Sequence, residues 1–435
     1  MLNLLMPRRD RTCDGASRRD FLKIGALGLT GLCLSDLLRA RAFASRSERS
    51  VRSTSVVWLW LGGGPTHVET FDPKMDAPAE YRSVVGAVKT IIPGVAIGGV
   101  FPQIAQVADK MAFVRSFAHG NSGHAGGTHW VMTGYDYPPA DNGMAQIKPS
   151  FGSILARVRG PSNPDTGLPT YVRLNDIYGD GPAWLGTPYA PFDSSGNARS
   201  NMNLKVSPGQ LADRRSLLKK LDRLDRAIDR SGLMEGLDSF EGQAFNLILS
   251  RAKEVFDLSR EDPRIRDKYG THALGQQMLL ARRLCEAGCG FVTIHYGGWD
   301  MHGQIAQELK RTAPPVDQAV AAFVEDLHQR GLDRDVLLVI SGEFGRTPRI
   351  NGSAGRDHWA PLSTLAFAGG GLRMGQVVGE SSAKAEVPKS TPITPQDLMA
   401  TVFHVLGIDL QLQFKDPSGR PVYMVEHGKP IAELV

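Results

Sequence analysis

Short runs rich in apolar, β-branched and aromatic residues punctuate the chain: VVWLWL at 56–61, MAFVRSF at 111–117, TYVRL at 170–174, FVTIHY at 291–296, VLLVI at 336–340 and TLAFA at 364–368. Most are continuously apolar rather than alternating, the pattern of strands buried on both faces of a parallel sheet. Such a sheet needs helices over both faces, and helical patterns do lie between the runs. One spans about 211–231, rich in Arg, Lys and Asp with Leu at helical spacing and Gly232 as a stop; others cover 274–287 and 316–330, the latter with Val316, Val320, Phe323 and Leu327 on one face. Near the C-terminus Thr394-Pro395-Gln396-Asp397 predicts a helix start, with Thr394 as N-cap and Gly407 as the stop. The expected fold class is α/β, a doubly wound, mostly parallel sheet flanked by helices. Residues 135–265, with Pro-rich and Gly-rich stretches before the charged helix, read as an insertion or cap over that sheet.

In open α/β sheets, ligand groups collect where the parallel strands end. Four apolar runs end in polar clusters of this kind. The first enters Gly62-Gly63-Gly64, where missing side chains let backbone approach a ligand, but the stretch matches neither a P-loop nor a dinucleotide fingerprint. The second leads to His119, His124 and His129, three of the eleven histidines within eleven residues, a density that favours a metal or anion site. The third leads to Asp300 and His302, a carboxylate and an imidazole that can share a metal in an extended loop; Asp300 as a helix cap is the alternative. The fourth leads to Glu343 and Arg346 and then Asp357-His358, where a Glu–Arg ion pair holding a tight turn is the alternative.

The formal net charge of +5 belongs mostly to the N-terminus. Beyond residue 44 there are 42 basic against 41 acidic side chains, which argues against nucleic-acid binding. The Arg-rich helix near 213–230 carries Asp222, Asp225 and Asp229 between its cations and reads as a self-paired, solvated face. Ser17-Arg18-Arg19-Asp20-Phe21-Leu22-Lys23, the apolar run IGALGLTGLCL and Ala42-Phe43-Ala44 resemble a twin-arginine export signal cleaved near Ala44. The apolar stretch is too short and Gly-rich to read as a membrane span. The expected organisation is therefore a signal peptide at 1–44 and one domain at 45–435, periplasmic or extracellular. Of the four cysteines only Cys285 and Cys289 would remain, either as a disulfide or as parts of a buried helix-to-strand turn.

The motifs G-G-x-x-H-x-x-x-F-D-P-K at 63–74, S-x-H at 122–124 with T-G at 133–134, G-G-W-D-x-H, E-F-G-R-T-P and G-x-D-H together resemble the exported family known as domain of unknown function 1501. The resemblance runs almost end to end through the chain after the signal. It implies an alkaline phosphatase-like fold, shared with sulfatases, phosphatases and cofactor-independent phosphoglycerate mutases, with a metal site at the strand ends. It also implies a nucleophile near the start of the segment before Thr133-Gly134, for which Ser122 is the candidate. No C-x-P-x-R signature is present, so a formylglycine mechanism is not expected. Asp300, His302 and His358 match one metal site; Glu343, without an adjacent His, marks a second that has been altered. Glu69 or Asp72 stand in for an Asp missing after the first strand, His67 is a further candidate ligand, and Asp357 is a candidate ligand or a support for His358.

These readings converge on an exported hydrolase-like protein that takes a divalent metal (Zn, Mn or Ca) and acts on a small-molecule or polymer-borne phosphate or sulfate ester. Ser122 or a metal-bound water would be the nucleophile, His124 or His129 the general base, and Arg346 a bidentate anchor for the oxyanion. The competing class is a non-catalytic binding or assembly protein that keeps the fold with a degraded metal site.

Overall fold

The computed structural model describes residues 54–194 and 254–435. Eight strands form the main sheet: β1 (Ser55–Leu61), β2 (Met111–Val114), β3 (Tyr171–Leu174), β4 (Phe192–Asp193), β5 (Phe291–Tyr296), β6 (Val336–Ser341), β7 (Leu365–Gly369) and β8 (Gln376–Val378). Their order is β8-β2-β7-β6-β1-β5-β3-β4. All neighbours run parallel except β7, which is antiparallel to both β2 and β6. The principal helices are α1 (His124–Thr133), α2 (Phe151–Arg159), α3 (Ala273–Glu286), α4 (Ile305–Gln329) and α5 (Pro395–Leu406).

β1 shows why the unbroken apolar runs build this sheet. All seven of its residues are buried. Successive side chains point to opposite faces, so one strand feeds two cores. Val57, Leu59 and Leu61 join a cluster with Met278 and Leu284 of α3 and Leu309, Val320 and Phe323 of α4. Val56, Trp58 and Trp60 join another with Val131 of α1, Ile154 of α2 and Val402 and Phe403 of α5. Each fully buried aliphatic or aromatic side chain stabilises the fold by about 1.5–3 kcal/mol relative to exposure, which favours a central strand apolar on both sides. The indole of Trp58, buried in that second cluster, is satisfied: its Nε1–H donates to Ser341 Oγ at 2.8 Å.

α5 forms as its ends predict. Thr394 Oγ accepts from the Asp397 N–H, the Asp397 carboxylate accepts from the Thr394 N–H, and Gly407 closes the helix at φ 68°. α4 is longer than its sequence implies. It starts at Ile305 rather than 316 and runs through Pro314 and Pro315. Pro removes a helical hydrogen bond, but Ile305, Leu309 and Ala313 continue the buried stripe of the later turns, and their packing offsets that loss.

The span read as a cap divides differently. Residues 151–193 supply α2, β3 and β4, so that part is integral to the sheet. The charged helix expected at 211–231 and the segment read as an export signal lie outside the described residues. Cys285 and Cys289 are both free and buried, as a packed helix-to-strand turn requires. Among the described residues no helix is long and apolar enough to cross a membrane.

Beyond the end of β3, Asp180 is buried with its Oδ1 3.3 Å from Arg173 Nη1 and its Oδ2 without a partner. Burial, only partly opposed by the Arg173 charge, pushes its pKa up to about 7. In an unfolded chain the same group titrates near ~3.9. The folded pKa is the higher one, so its contribution to stability is intact below the unfolded value and is lost as pH rises through the folded value. Replacing Asp180 by Asn removes the titration. The unfolding free energy of the variant minus that of the wild type should therefore shift in the variant's favour between about pH 4 and pH 7. Denaturant melts across that range test it, and a difference that stays flat with pH overturns the assignment.

Candidate metal centre

Loops leaving β1, β5 and β6, adjacent strands in the middle of the sheet, meet at one place. Backbone packs directly on backbone there, which explains the glycines. Gly63 sits at φ 110°, and a Cβ on it would lie 2.4 Å from the Asp300 nitrogen; a Cβ on Gly64 would lie 2.3 Å from the Phe344 ring. The loop after β5 is tied back through Trp299 N–H to Gly62 O at 3.1 Å. After β6, a short antiparallel pairing sets His358 opposite Arg346. α1 brings a fourth element, with Gly123 as its N-cap and His124 as its first residue.

Three imidazoles converge on the Asp300 carboxylate. His302 Nε2 is 2.9 Å and His358 Nε2 3.3 Å from Asp300 Oδ1, while His124 Nε2 is 3.5 Å from Oδ2. The far nitrogen of each ring is held by an oxygen: His124 Nδ1 by Glu343 Oε1 at 2.8 Å, His302 Nδ1 by Asp357 Oδ1 at 2.7 Å, and His358 Nδ1 by the Ser122 carbonyl at 2.9 Å. An Nδ1–H donated outward fixes the tautomer that leaves Nε2 with a bare lone pair, the arrangement of histidines that bind a metal. His302 and His358 then point two such nitrogens at each other across 3.1 Å, and both face a carboxylate oxygen. A proton or a cation between them removes that repulsion. The ligand atoms of His124, Asp300 and His358 all lie within 4.8 Å of one another, a mixed nitrogen and oxygen set that suits a divalent ion.

The electrostatics agree. Burial pushes the Asp300 pKa up, but the Arg346 hydrogen bond and charge, with His124 and His302, outweigh it and hold the carboxyl down at about 2. His358 is lowered by burial and by the Arg346 charge, which keeps it neutral and able to ligate. His124 is raised, chiefly by its hydrogen bond to Glu343. Glu343 itself is buried; its Oε1 also accepts the Gly63 N–H at 2.9 Å, while its Oε2 is buried with no partner.

Arg346 departs from the role its sequence position implied. It is fully buried and every N–H is committed. Nε donates to Gly64 O at 2.9 Å, Nη1 to Arg356 O at 3.1 Å and toward His302 Nε2 at 3.4 Å, and Nη2 to Gly63 O and to Asp300 Oδ1 at 2.5 Å. No donor is left for a substrate oxyanion, so Arg346 positions Asp300 and the glycine loop instead.

The other expected residues divide in the same way. His67 is not brought to the cluster: its Nε2 meets the Ala385 carbonyl at 3.0 Å, and burial lowers its pKa to about 4. His129 is buried inside α1 with Nδ1 on the Tyr135 carbonyl at 2.9 Å and Nε2 toward the Ile147 N–H at 3.4 Å, so it has no nitrogen free to act as a base. His119 also stays outside; only His124 of the three-histidine segment enters, as a candidate ligand rather than as a base. Ser122 lies beside the centre, its Oγ accepting the Ala360 N–H at 3.0 Å. Asp357 supports His302, not His358. Glu69 is held in a bidentate pair with the fully buried Arg356 at 2.9 Å and 2.9 Å, and Asp72 is bonded to Ser381; neither reaches the centre. No sequence signal marked Arg356, because its partner is 287 residues away.

The sequence profile of a family described as "Protein of unknown function (DUF1501)" matches residues 53–435. The chain belongs to that family. No curated protein matches it. Among solved structures, it is similar to a sulfatase from Pseudoalteromonas sp. at 14% identity and a TM-score of 0.40, covering 85% of this chain and 70% of the other. It is also similar to the lipoteichoic acid synthase LtaP from Listeria monocytogenes (10%, TM-score 0.37, 88% and 77% covered). A phosphonate monoester hydrolase from Silicibacter pomeroyi matches at 12% identity and a TM-score of 0.37, with 82% and 74% covered.

The close approach at Gly63 gives a direct test. Gly63→Ala should destabilise the protein by more than the roughly 1–3 kcal/mol typical of a strained backbone position, because the new methyl also meets the Asp300 backbone. Gly419→Ala, at φ 81° with open space around it, should cost only the backbone strain. Denaturant midpoints of the two variants check the order, and equal losses overturn it.

Proposed function

We propose that the chain is an exported, divalent-metal-dependent hydrolase acting on phosphate or sulfate esters. The observation that supports this most is the convergence of three imidazole Nε2 atoms on Asp300, each ring anchored through Nδ1 by an oxygen. His124, Asp300 and His358 would hold the metal, with His302 adjacent. When bound, a divalent ion in such a site polarises an ester oxygen and lowers the pKa of a nucleophilic hydroxyl or water. The chain's own contribution is preorganisation. Arg346 keeps Asp300 ionised and aimed, Glu343 and Asp357 orient His124 and His302, and the Ser122 carbonyl orients His358. Export rests on the Arg18-Arg19 motif, apolar run and Ala42-Phe43-Ala44 of the leader.

One observation favours a second reading, metal binding without turnover. Among the described residues Ser122 Oγ accepts the Ala360 N–H at 3.0 Å and makes no hydrogen bond to an imidazole or a carboxylate. No side-chain base is in place to activate the serine, so hydrolysis would depend on the metal to activate that hydroxyl or a water.

Elemental analysis of the purified mature protein should find bound Zn, Mn or Ca, and Asp300→Ala should abolish it. The wild type, but not that variant, should turn over members of a panel of aryl phosphate monoesters, diesters and sulfate esters. Bound metal with no turnover across the panel supports the second reading; absence of metal overturns both. For export, replacing Arg18 and Arg19 together by Lys should leave unprocessed precursor in the cytoplasm. N-terminal sequencing of the exported wild type should begin just after Ala44.

A further inference from the structure

We propose, resting on the metal reading above, that the centre is mononuclear because Arg346 is a built-in cation standing where a second divalent ion would have to sit. Its guanidinium is enclosed by four oxygens from three segments: Gly63 O, Gly64 O at 2.9 Å, Arg356 O at 3.1 Å and Asp300 Oδ1 at 2.5 Å. Three carbonyls and a carboxylate gathered around one group are the oxygen donors that a hard cation takes. Here a side chain fills it. The group is fully buried and keeps its charge at any working pH.

In two-metal sites the ions stand about 3.5–4 Å apart and share ligands. Asp300 is the shared-ligand candidate, and its Oδ1 already carries the guanidinium. A second divalent ion bridged through Asp300 would press against a fixed positive charge one hydrogen bond away, at 2.5 Å from the same carboxylate oxygen.

The remaining ligands do not supply an alternative. Asp357 Oδ1 serves His302 at 2.7 Å and Asn351 at 3.2 Å. Glu343 offers only its partnerless Oε2, since Oε1 already accepts from Gly63 and His124. Among the described residues, His124, Asp300 and His358 form the one group of three or more metal-ligating side chains. One carboxylate oxygen does not hold a second ion.

The test is stoichiometry, read without activity. The metal-stripped, full mature protein is titrated with Zn²⁺ or Mn²⁺ by calorimetry and then analysed for metal content. One equivalent per chain is expected. Two equivalents of comparable affinity overturn the inference and leave the proposed hydrolase standing; no binding overturns both.

Two variants address cause, each first checked for folding by circular dichroism. Arg346→Gln, which removes the charge, should admit a second, weaker equivalent at millimolar metal. If it folds and still takes only one, the guanidinium is not what excludes the second ion. Arg346→Lys, which keeps the charge and loses the fork, should still take one equivalent with at least tenfold weaker binding; wild-type affinity would overturn the placement of Asp300 by Arg346. Should neither variant fold, the wild-type stoichiometry decides alone.

Discussion

The buried guanidinium of Arg346 holds the functional end of this molecule together. It contacts the loop after β1 through two glycine carbonyls, the loop after β5 through Asp300, and the loop after β6 through the Arg356 carbonyl. Removing an ion from water costs several kcal/mol, and a protein tolerates that only where every donor finds an acceptor. Here all do. Glycines at 63 and 64 allow the strand ends to close around it, because any side chain at either position would collide with a neighbouring loop.

From that one charge the character of the centre follows. Asp300 remains ionised although it sits partly out of water. His358, facing the same cation, stays neutral. His124 is turned the opposite way by the Glu343 carboxylate behind it. A site with an ionised carboxylate, imidazoles anchored from behind and a fixed cation beneath is organised before any ligand arrives, which spares the cost of ordering it at the moment of binding.

Much of the scaffold was legible in sequence, for a physical reason. A strand apolar on both faces has only one stable environment, so VVWLWL, FVTIHY and VLLVI announced the centre of a parallel sheet and with it the edge where a site would form. Local capping chemistry likewise announced α5. The 305–329 helix was under-read because Pro is a local signal, whereas the packing that overrides it is not local. The candidate site was legible as an address more than as a wiring diagram. The loops of Asp300, His302 and His358 do meet, but the group placed to hold an ion takes His124 in place of His302, and His67 and His129, of the same residue type, serve the interior.

Sequence alone determined the α/β class, the strands that form the middle of the sheet, the end at which polar groups gather and the family to which the chain belongs. These depend on hydrophobic period and on short motifs, which are properties of neighbours in the chain. Tertiary structure alone decided which histidine of the 119–129 segment joins the centre, which carboxylate supports which ring, and that Arg346 spends all its hydrogen bonds on the protein. Those outcomes depend on contacts between residues tens to hundreds of positions apart, such as His124 with Glu343 and Arg356 with Glu69. Hydrogen bonds act over about 3 Å, and no pattern along the chain records which distant groups will be brought that close.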